Sequence, residues 1–424
     1  MSSLSRAFGS LRHRDFALFW TSAVISNTGS WMQQVTVPFV IFDLTGSTTW
    51  LAVSAAVSFL PPFFVGPLAG AIADRYPRRT VLLVTQTVQM TAAFALWGIW
   101  ISGQASLGSI LGTLFVSSLA SGINITSWQA FVPSLVPEES LLNAVRLNSM
   151  QFTVARAIGP AIAGLVLSRF GAGTTFLVNA ITFLFVIAAL LAVRPRPAPE
   201  RVGESSVLQD FREGVRYLRR HPGARQCVMT VGVVSLLPVA IVQLTPAIAE
   251  RQFDAGDTGY GLLVSAYGVG SIVASLALAF HADRFARSRL TLVCLLTAAA
   301  GAALLAGATP FVLGLVGLFV IGTGQTVVSI TQNTTVQLQV QDRYRGRVLA
   351  VYLMTLFICV PLGTLLLGAI ANATGIRGAS AATAVLLLAY VVLAVLRLDS
   401  MRALDAESFD AGDTHAELTY QPTV

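Results

Sequence analysis

Twelve apolar runs, each about 20 residues or longer and separated by short charged turns, constrain this chain more than any other feature. They cover 16–42, 47–72, 80–101, 106–132, 144–168, 174–193, 226–249, 258–281, 289–308, 310–337, 348–372 and 378–396. About 20 apolar residues is the length of a helix that crosses a bilayer. The runs are long and lack a period of two, which favours helices over a barrel. Of the 424 residues, 54% are hydrophobic and 11% charged, against about 25% charged in a soluble protein. The expectation is an all-α polytopic membrane protein with twelve transmembrane helices.

Charge supplies the orientation. All 27 basic residues are arginine. With both termini in the cytoplasm, Arg169, Arg251 and Arg377 face out, Arg156 lies within a span, and the remaining 23 face in. That asymmetry is the positive-inside pattern. It explains the net charge of +7 without a nucleic-acid partner. The first run is too long and too polar for a cleaved signal. Cys227, Cys294 and Cys359 lie in or beside apolar runs without metal-ligand spacing, and are expected to pack. There is no HExxH, GxSxG, paired carboxylate, cysteine–histidine set or nucleotide-binding loop. The four histidines, His13, His221, His281 and His415, fall near membrane edges or in loops. No enzyme, cofactor or metal site is expected, which argues against a membrane-embedded enzyme.

One charged turn occurs twice. The stretch 66–79 carries Gly70, Asp74, Arg75, Arg78 and Arg79. A position 209 residues later repeats it, with Asp283, Arg284 and Arg287 matching Asp74, Arg75 and Arg78. At that offset the match runs ungapped from Gln34/Gln243 to Asp74/Asp283; further on the offset becomes 204, pairing Gly159 and Gly164 with Gly363 and Gly368. The chain therefore reads as two similar six-helix halves, 1–193 and 226–397. The linker 194–225 joins them, and a mobile cytoplasmic tail, 398–424, follows. The tail is read from its six acids against one arginine. Within the linker, Phe211, Val215 and Leu218 lie to one side of an arginine-rich segment. Such a helix would lie along the inner membrane surface against anionic lipid.

Polar groups inside spans are costly unless they face protein or water. The first run carries Ser26, Asn27, Ser30, Gln33 and Gln34 at helical spacing beside Trp31. The fourth carries Ser117, Ser121, Asn124 and Trp128, and the tenth carries Gln325, Ser329 and Gln332; the seventh offers Ser235 and Gln243. A water-filled cavity explains these stripes, and so does hydrogen bonding between helices, worth about 1 kcal/mol. Five polar residues on one side of the first run favour the cavity. Arg156 could hold an anionic substrate, pair with a carboxylate or bind backbone carbonyls. No Asp or Glu lies in the middle of any run. That leaves Asp43 and Glu250, at outer ends, as candidates to carry a coupling proton.

The doubled turn resembles the loops after helices two and eight of the major facilitator superfamily. RHRDFALFW at 12–20, SWQAFVPSLVPEESLLNAVRLNS at 127–149, RAIGPAIAG at 156–164 and RGRVLAVY at 345–352 resemble its branch containing the enterobactin exporter. The resemblance implies two pseudo-symmetric six-helix bundles that rock about a midplane site. Helices one, four, seven and ten would line the cavity, and Asp74 would help lock one conformation. Pro77 stands where the fuller motif has glycine, and Ser288 where it has a second basic residue, so the second lock should be weaker. The implied activity is monomeric export of a small amphipathic molecule (a siderophore, antibiotic or drug-like compound) across the cytoplasmic membrane, with a proton as coupling ion. A lysophospholipid or lipid flippase and a non-transporting sensor on the same scaffold are the alternatives.

Overall fold

The computed structural model describes residues 9–196, 207–281 and 284–406. Among these there is no strand. The helices in chain order are α1 (Arg14–Thr45), α2 (Thr48–Arg75), α3 (Arg78–Ile101), α4 (Leu107–Phe131), α5 (Leu141–Ala192), α6 (Val207–Arg220) and α7 (Pro222–Val234). After a π turn at Ser235–Val239 and a short helix at Ala240–Gln243 come α8 (Thr245–Phe253), α9 (Gly256–His281), α10 (Arg287–Gly307), α11 (Phe311–Gln339), α12 (Asp342–Thr374), α13 (Ile376–Leu396) and α14 (Leu398–Arg402).

Nine helices among the described residues are long and apolar enough to cross a membrane. The first two apolar runs are helical as well, as α1 and α2. The polar stripe of α1 dilutes its hydropathy and keeps it outside that set. The 52 residues of α5, at about 1.5 Å each, far exceed a hydrocarbon core about 30 Å thick. It breaks at Gly171 (φ 76°, ψ 174°) into two segments, each long enough to cross. Gly375, 204 residues on, separates α12 from α13 with nearly the same backbone (φ 83°, ψ 165°). Only glycine takes up this region readily. The repeat therefore extends to the hinge that ends each half's fifth helix.

Packing divides the chain into two compact units: Met1–Val202 with Gln243–Val269, and Gly203–Val242 with Gly270–Val424. Residues 243–269 thus pack with the first half, although the repeat assigns them to the second. The chain enters unit 1 just beyond the π turn, which contains Pro238, a residue that cannot donate to the helical ladder.

In unit 1 the core joins Phe16, Phe19 and Ala23 of α1 to Phe183, Val186 and Leu190 of α5, with Leu82, Trp128 and Phe131 between them. The spacing of three and four residues places each set on one helix face. In unit 2 one cluster joins Val234, Leu237, Leu295, Ala298, Val327 and Leu387.

Two expectations change here. The amphipathic linker is helical, but the apolar side expected on the membrane surface is committed to protein. Tyr217 and Leu218 are buried against α12, and Glu213 pairs with Arg347 at 2.6 Å. Residues 398–406, expected to belong to a mobile tail, form α14 and a 3-10 turn at Ala403–Asp405, and bury Met401 and Leu404 in the unit 2 core. Those two apolar side chains outweigh the local excess of acids. The rest of the expected tail, 407–424, lies outside the described residues.

Candidate functional site

The middle of unit 1 is built where α1, α4 and the first segment of α5 meet. Asn27 donates from Nδ2 to Gln151 Oε1 at 2.9 Å and to its own helix at Ala23 O at 3.0 Å. Gln151 reaches Asn148 at 3.4 Å, and Trp128 donates from Nε1 to the same Asn148 oxygen at 2.9 Å. This amide network crosses three helices. The ring of Trp128 does not line an open space: it is 3% exposed and lies 4.4 Å from Phe19, centroid to centroid. Trp128 is a core residue whose one polar atom is satisfied. Asn124 likewise ties α4 to α3 by donating to Thr85 Oγ1 at 2.9 Å. Ser121 is half-buried. Ser30 bonds its own helix at Ser26 O, 3.1 Å away. Trp31 packs at Gly159, where a Cβ would come within 2.4 Å of the Trp31 Cβ. The glycine sets how closely α5 approaches α1.

Arg156 precedes Gly159 on α5, roughly midway along the first segment, and is half-buried. Among the described residues no hydrogen bond or ion pair to its guanidinium is found. A cation within a span is expensive without a partner.

Toward the Thr45 end of α1, the repeat-related Gln34 and Gln243 come together. With Ser54, Ser58, Pro38 and Phe59 they line one small pocket of about 10 Å³. That is at the lower limit for a single water and far below the roughly 300–1,000 Å³ of a ligand site. Around it, α8 and α9 pack on α1 and α5. Tyr260 donates to Val35 O at 2.5 Å and stacks on Phe39. Arg251 donates to Gly46 O at 2.6 Å and lies over Phe42. Ser265 donates to Ala161 O at 3.2 Å. Gly164 and Gly261 meet so closely that a Cβ on Gly164 would lie 2.1 Å from the Gly261 oxygen. The pairing of these residues carried no sequence signal, because the hydrogen bonds of Tyr260, Arg251 and Ser265 all end on backbone carbonyls.

Asp43 and Glu250 are exposed at the ends of α1 and α8 near this packing. Asp43 lies past the apolar run 16–42; partial burial, then the Asp257 carboxylate, raise its pKa above the ordinary value.

In unit 2 the expected stripe is consumed by packing. Gln332 is fully buried and donates to Thr291 Oγ1 of α10 at 2.8 Å. Gln325 and Ser329, also buried, bond each other at 3.4 Å.

At the first charged turn, Arg75 is exposed. Arg78 donates to Ala130 O, at the end of α4, at 3.0 Å. Arg79 donates to Leu190 O and Leu191 O, at the end of α5, both at 2.6 Å. These guanidinium groups satisfy carbonyls that a helix C-terminus leaves open, and match its partial negative charge. At the second turn Arg284 is exposed. The burial of Gly70, the side chain of Asp74, and Asp283 as a whole lie outside the described residues.

The family described as transmembrane secretion effector matches residues 5–420. The macrolide efflux protein A of Streptococcus pyogenes is 22% identical over 374 residues, 85% of this chain and 90% of that protein. The enterobactin exporter of Escherichia coli O1:K1 / APEC is 25% identical over 396 residues, 92% and 93% of the two chains. Among solved structures, a bacterial homologue of the iron transporter ferroportin in an inward-facing state superposes with a TM-score of 0.65 at 16% identity, covering 90% of this chain and 98% of that one. At that identity the structural likeness speaks to the fold alone.

Proposed function

Because the chain belongs to the transmembrane secretion effector family of the major facilitator superfamily, we propose that this transporter moves a small amphipathic molecule out across the cytoplasmic membrane by alternating access. The observation that carries the reading is Arg156. It is a half-buried cation midway along a membrane-crossing segment, with no protein partner among the described residues. Of the three roles open to it, holding an anionic or strongly polar cargo group is the one its surroundings support. Asn27, Ser30, Trp31, Gln34 and Ser121 supply hydrogen bonds and an aromatic face to the rest of the cargo. Relatives that export a siderophore and a macrolide suit a cargo of that chemistry. Both termini are placed in the cytoplasm, and the working unit is a monomer.

The packing of 243–269 on α1 and α5 is then the closed outer end of the pathway. Asp43 is our candidate for proton coupling. Its pKa is raised in this packed arrangement, so the arrangement holds a proton more tightly than a free carboxylate does. By linkage, acid favours the closed outer end and alkali favours its opening. External protons would thus close the emptied carrier, as an antiporter requires. Asp43→Asn should flatten the dependence of transport on external pH. An unchanged pH profile would remove Asp43 from the mechanism.

The direct test compares medium and cells of strains with and without the gene by untargeted mass spectrometry. A compound lost from the medium and retained inside identifies the cargo class. If no compound moves under any growth condition, export is refuted.

A second reading, a lipid flippase, draws on a lateral groove of about 300 Å³ between α1 and the second segment of α5, lined by Leu18, Thr21, Ile25, Phe185, Ala188 and Ala192. It predicts redistribution of membrane lipids with unchanged medium.

A further inference from the structure

At the second charged turn the corner is closed by the opposite chemistry. The repeat offset of 209 places Arg287 and Ser288 where the first turn has Arg78 and Arg79. Ser288 cannot reach a helix end as Arg79 does. The N-cap of α10 is Ala286, which has no side-chain acceptor. Yet the Ser288 N–H is satisfied: it donates to Asp405 Oδ1 at 3.0 Å, and the Ser288 hydroxyl donates to Asp405 Oδ2 at 2.5 Å. A capping side chain ordinarily comes from the residue just before the helix. Here it comes from 117 residues further along the chain.

The same segment ties a second helix end and holds the first again. Gln339, the last residue of α11, donates to Leu404 O at 3.0 Å and also to Ala406 O. Arg287 donates to Ala406 O at 3.5 Å. Beneath these bonds Met401 and Leu404 are buried in one cluster with Cys227 and Val231 of α7 and with Val336 and Val340 at the end of α11. The segment therefore joins the ends of α7, α10, α11 and α13.

We infer that Asp405 is the lock of the second inner corner, and that residues 398–406 stand in for the arginine that the repeat lost at Ser288. In the first corner, arginines at a helix start hold the carbonyls of two helix ends. In the second, a carboxylate from beyond the last helix holds the amide of a helix start, where the helix dipole favours negative charge. The lock is a property of unit 2 and does not depend on cargo or direction of transport.

Cys227 reports on it directly. Its thiol is fully buried under Met401 and Leu404, whereas Cys294 is buried in the separate α10 cluster. Alkylation of the purified full-length protein by N-ethylmaleimide, followed at each cysteine by peptide mass spectrometry, separates local opening from unfolding. Asp405→Ala should speed modification of Cys227 about fivefold, the size of one lost helix cap, with Cys294 unchanged. Asp405→Glu, which keeps the charge, should restore protection. Asp405→Asn, the milder change, serves if Asp405→Ala does not fold. An unchanged Cys227 rate would overturn the lock. So would equal acceleration at both cysteines, or a Glu variant no better than Ala.

Discussion

The two units carry the same repeat and use their polar side chains differently. In unit 1, Asn27, Trp31, Gln34, Ser121 and Arg156 are all half-buried. In unit 2, Gln325, Ser329 and Gln332 are all buried. Gln332 spends its amide on Thr291, as Asn124 does on Thr85 in the other half. Arg156 has no counterpart at all: the residue 204 positions on is Val360, which is buried. Duplication reproduces what backbone geometry demands, such as the Gly171 and Gly375 breaks. It does not reproduce the ionisable group. An amide can be buried if one neighbouring hydroxyl accepts its proton. An arginine costs far more, and only the first copy carries one, at Arg156.

The largest expected effect tests that asymmetry. Arg156→Ala should lower transport by about tenfold or more, since a lost hydrogen bond to a charged group costs about 1.5–3 kcal/mol. Expression and melting temperature should stay near wild type. Arg156→Lys should recover part of the rate, because the charge remains and the planar fork is lost. Near-normal export by a well-expressed Arg156→Ala protein would place the arginine among the structural residues, and unit 1 would lose its special status.

The next effect sharpens the comparison where the repeat's two copies meet. Gln34 and Gln243 line one pocket, so their substitutions should not be independent. Gln34→Leu and Gln243→Leu should each reduce transport a few-fold. The double variant should do less damage than the product of the singles, with a coupling on the order of 0.5–3 kcal/mol. Strict additivity of the logarithms would show that the two amides act separately.

Twelve apolar runs and the doubled turn were enough to infer the helices and their repeat, because a membrane leaves so few backbone solutions. The polar stripes were harder. Trp128 and Gln332 recur at helical spacing whether they face a cavity or another helix, since both lie on one side of the same cylinder. Which one holds depends on a neighbour such as Phe19 or Thr291, far away in sequence. The linker helix shows the same ambiguity: Leu218 could as well meet lipid as α12. Asp405 was read by composition, as one acid among six. The amide it caps lies 117 residues earlier, and no local pattern links the two. The packing of 243–269 on α1 and α5 was invisible for a third reason: Tyr260, Arg251 and Ser265 all bond backbone carbonyls, and every residue presents one.

The smallest effect belongs to Gln332. If its amide serves only to join α11 to α10, Gln332→Leu should leave the transport rate unchanged and lower the melting temperature slightly. Interhelical hydrogen bonds in membranes are worth about 0.6 kcal/mol on average. Two features make the loss smaller still. The Gln332 Oε1 is buried without a partner among the described residues, so leucine also removes an unsatisfied acceptor. The stranded group would be the Thr291 hydroxyl, which keeps its own bond to Arg287 O at 2.7 Å. Adding Thr291→Val should therefore change little further, because replacing both partners by apolar groups of similar shape is nearly neutral. A Gln332→Leu protein that is stable but impaired in transport would return the tenth apolar run to the cargo pathway. The difference between the two units would then narrow to the arginine alone.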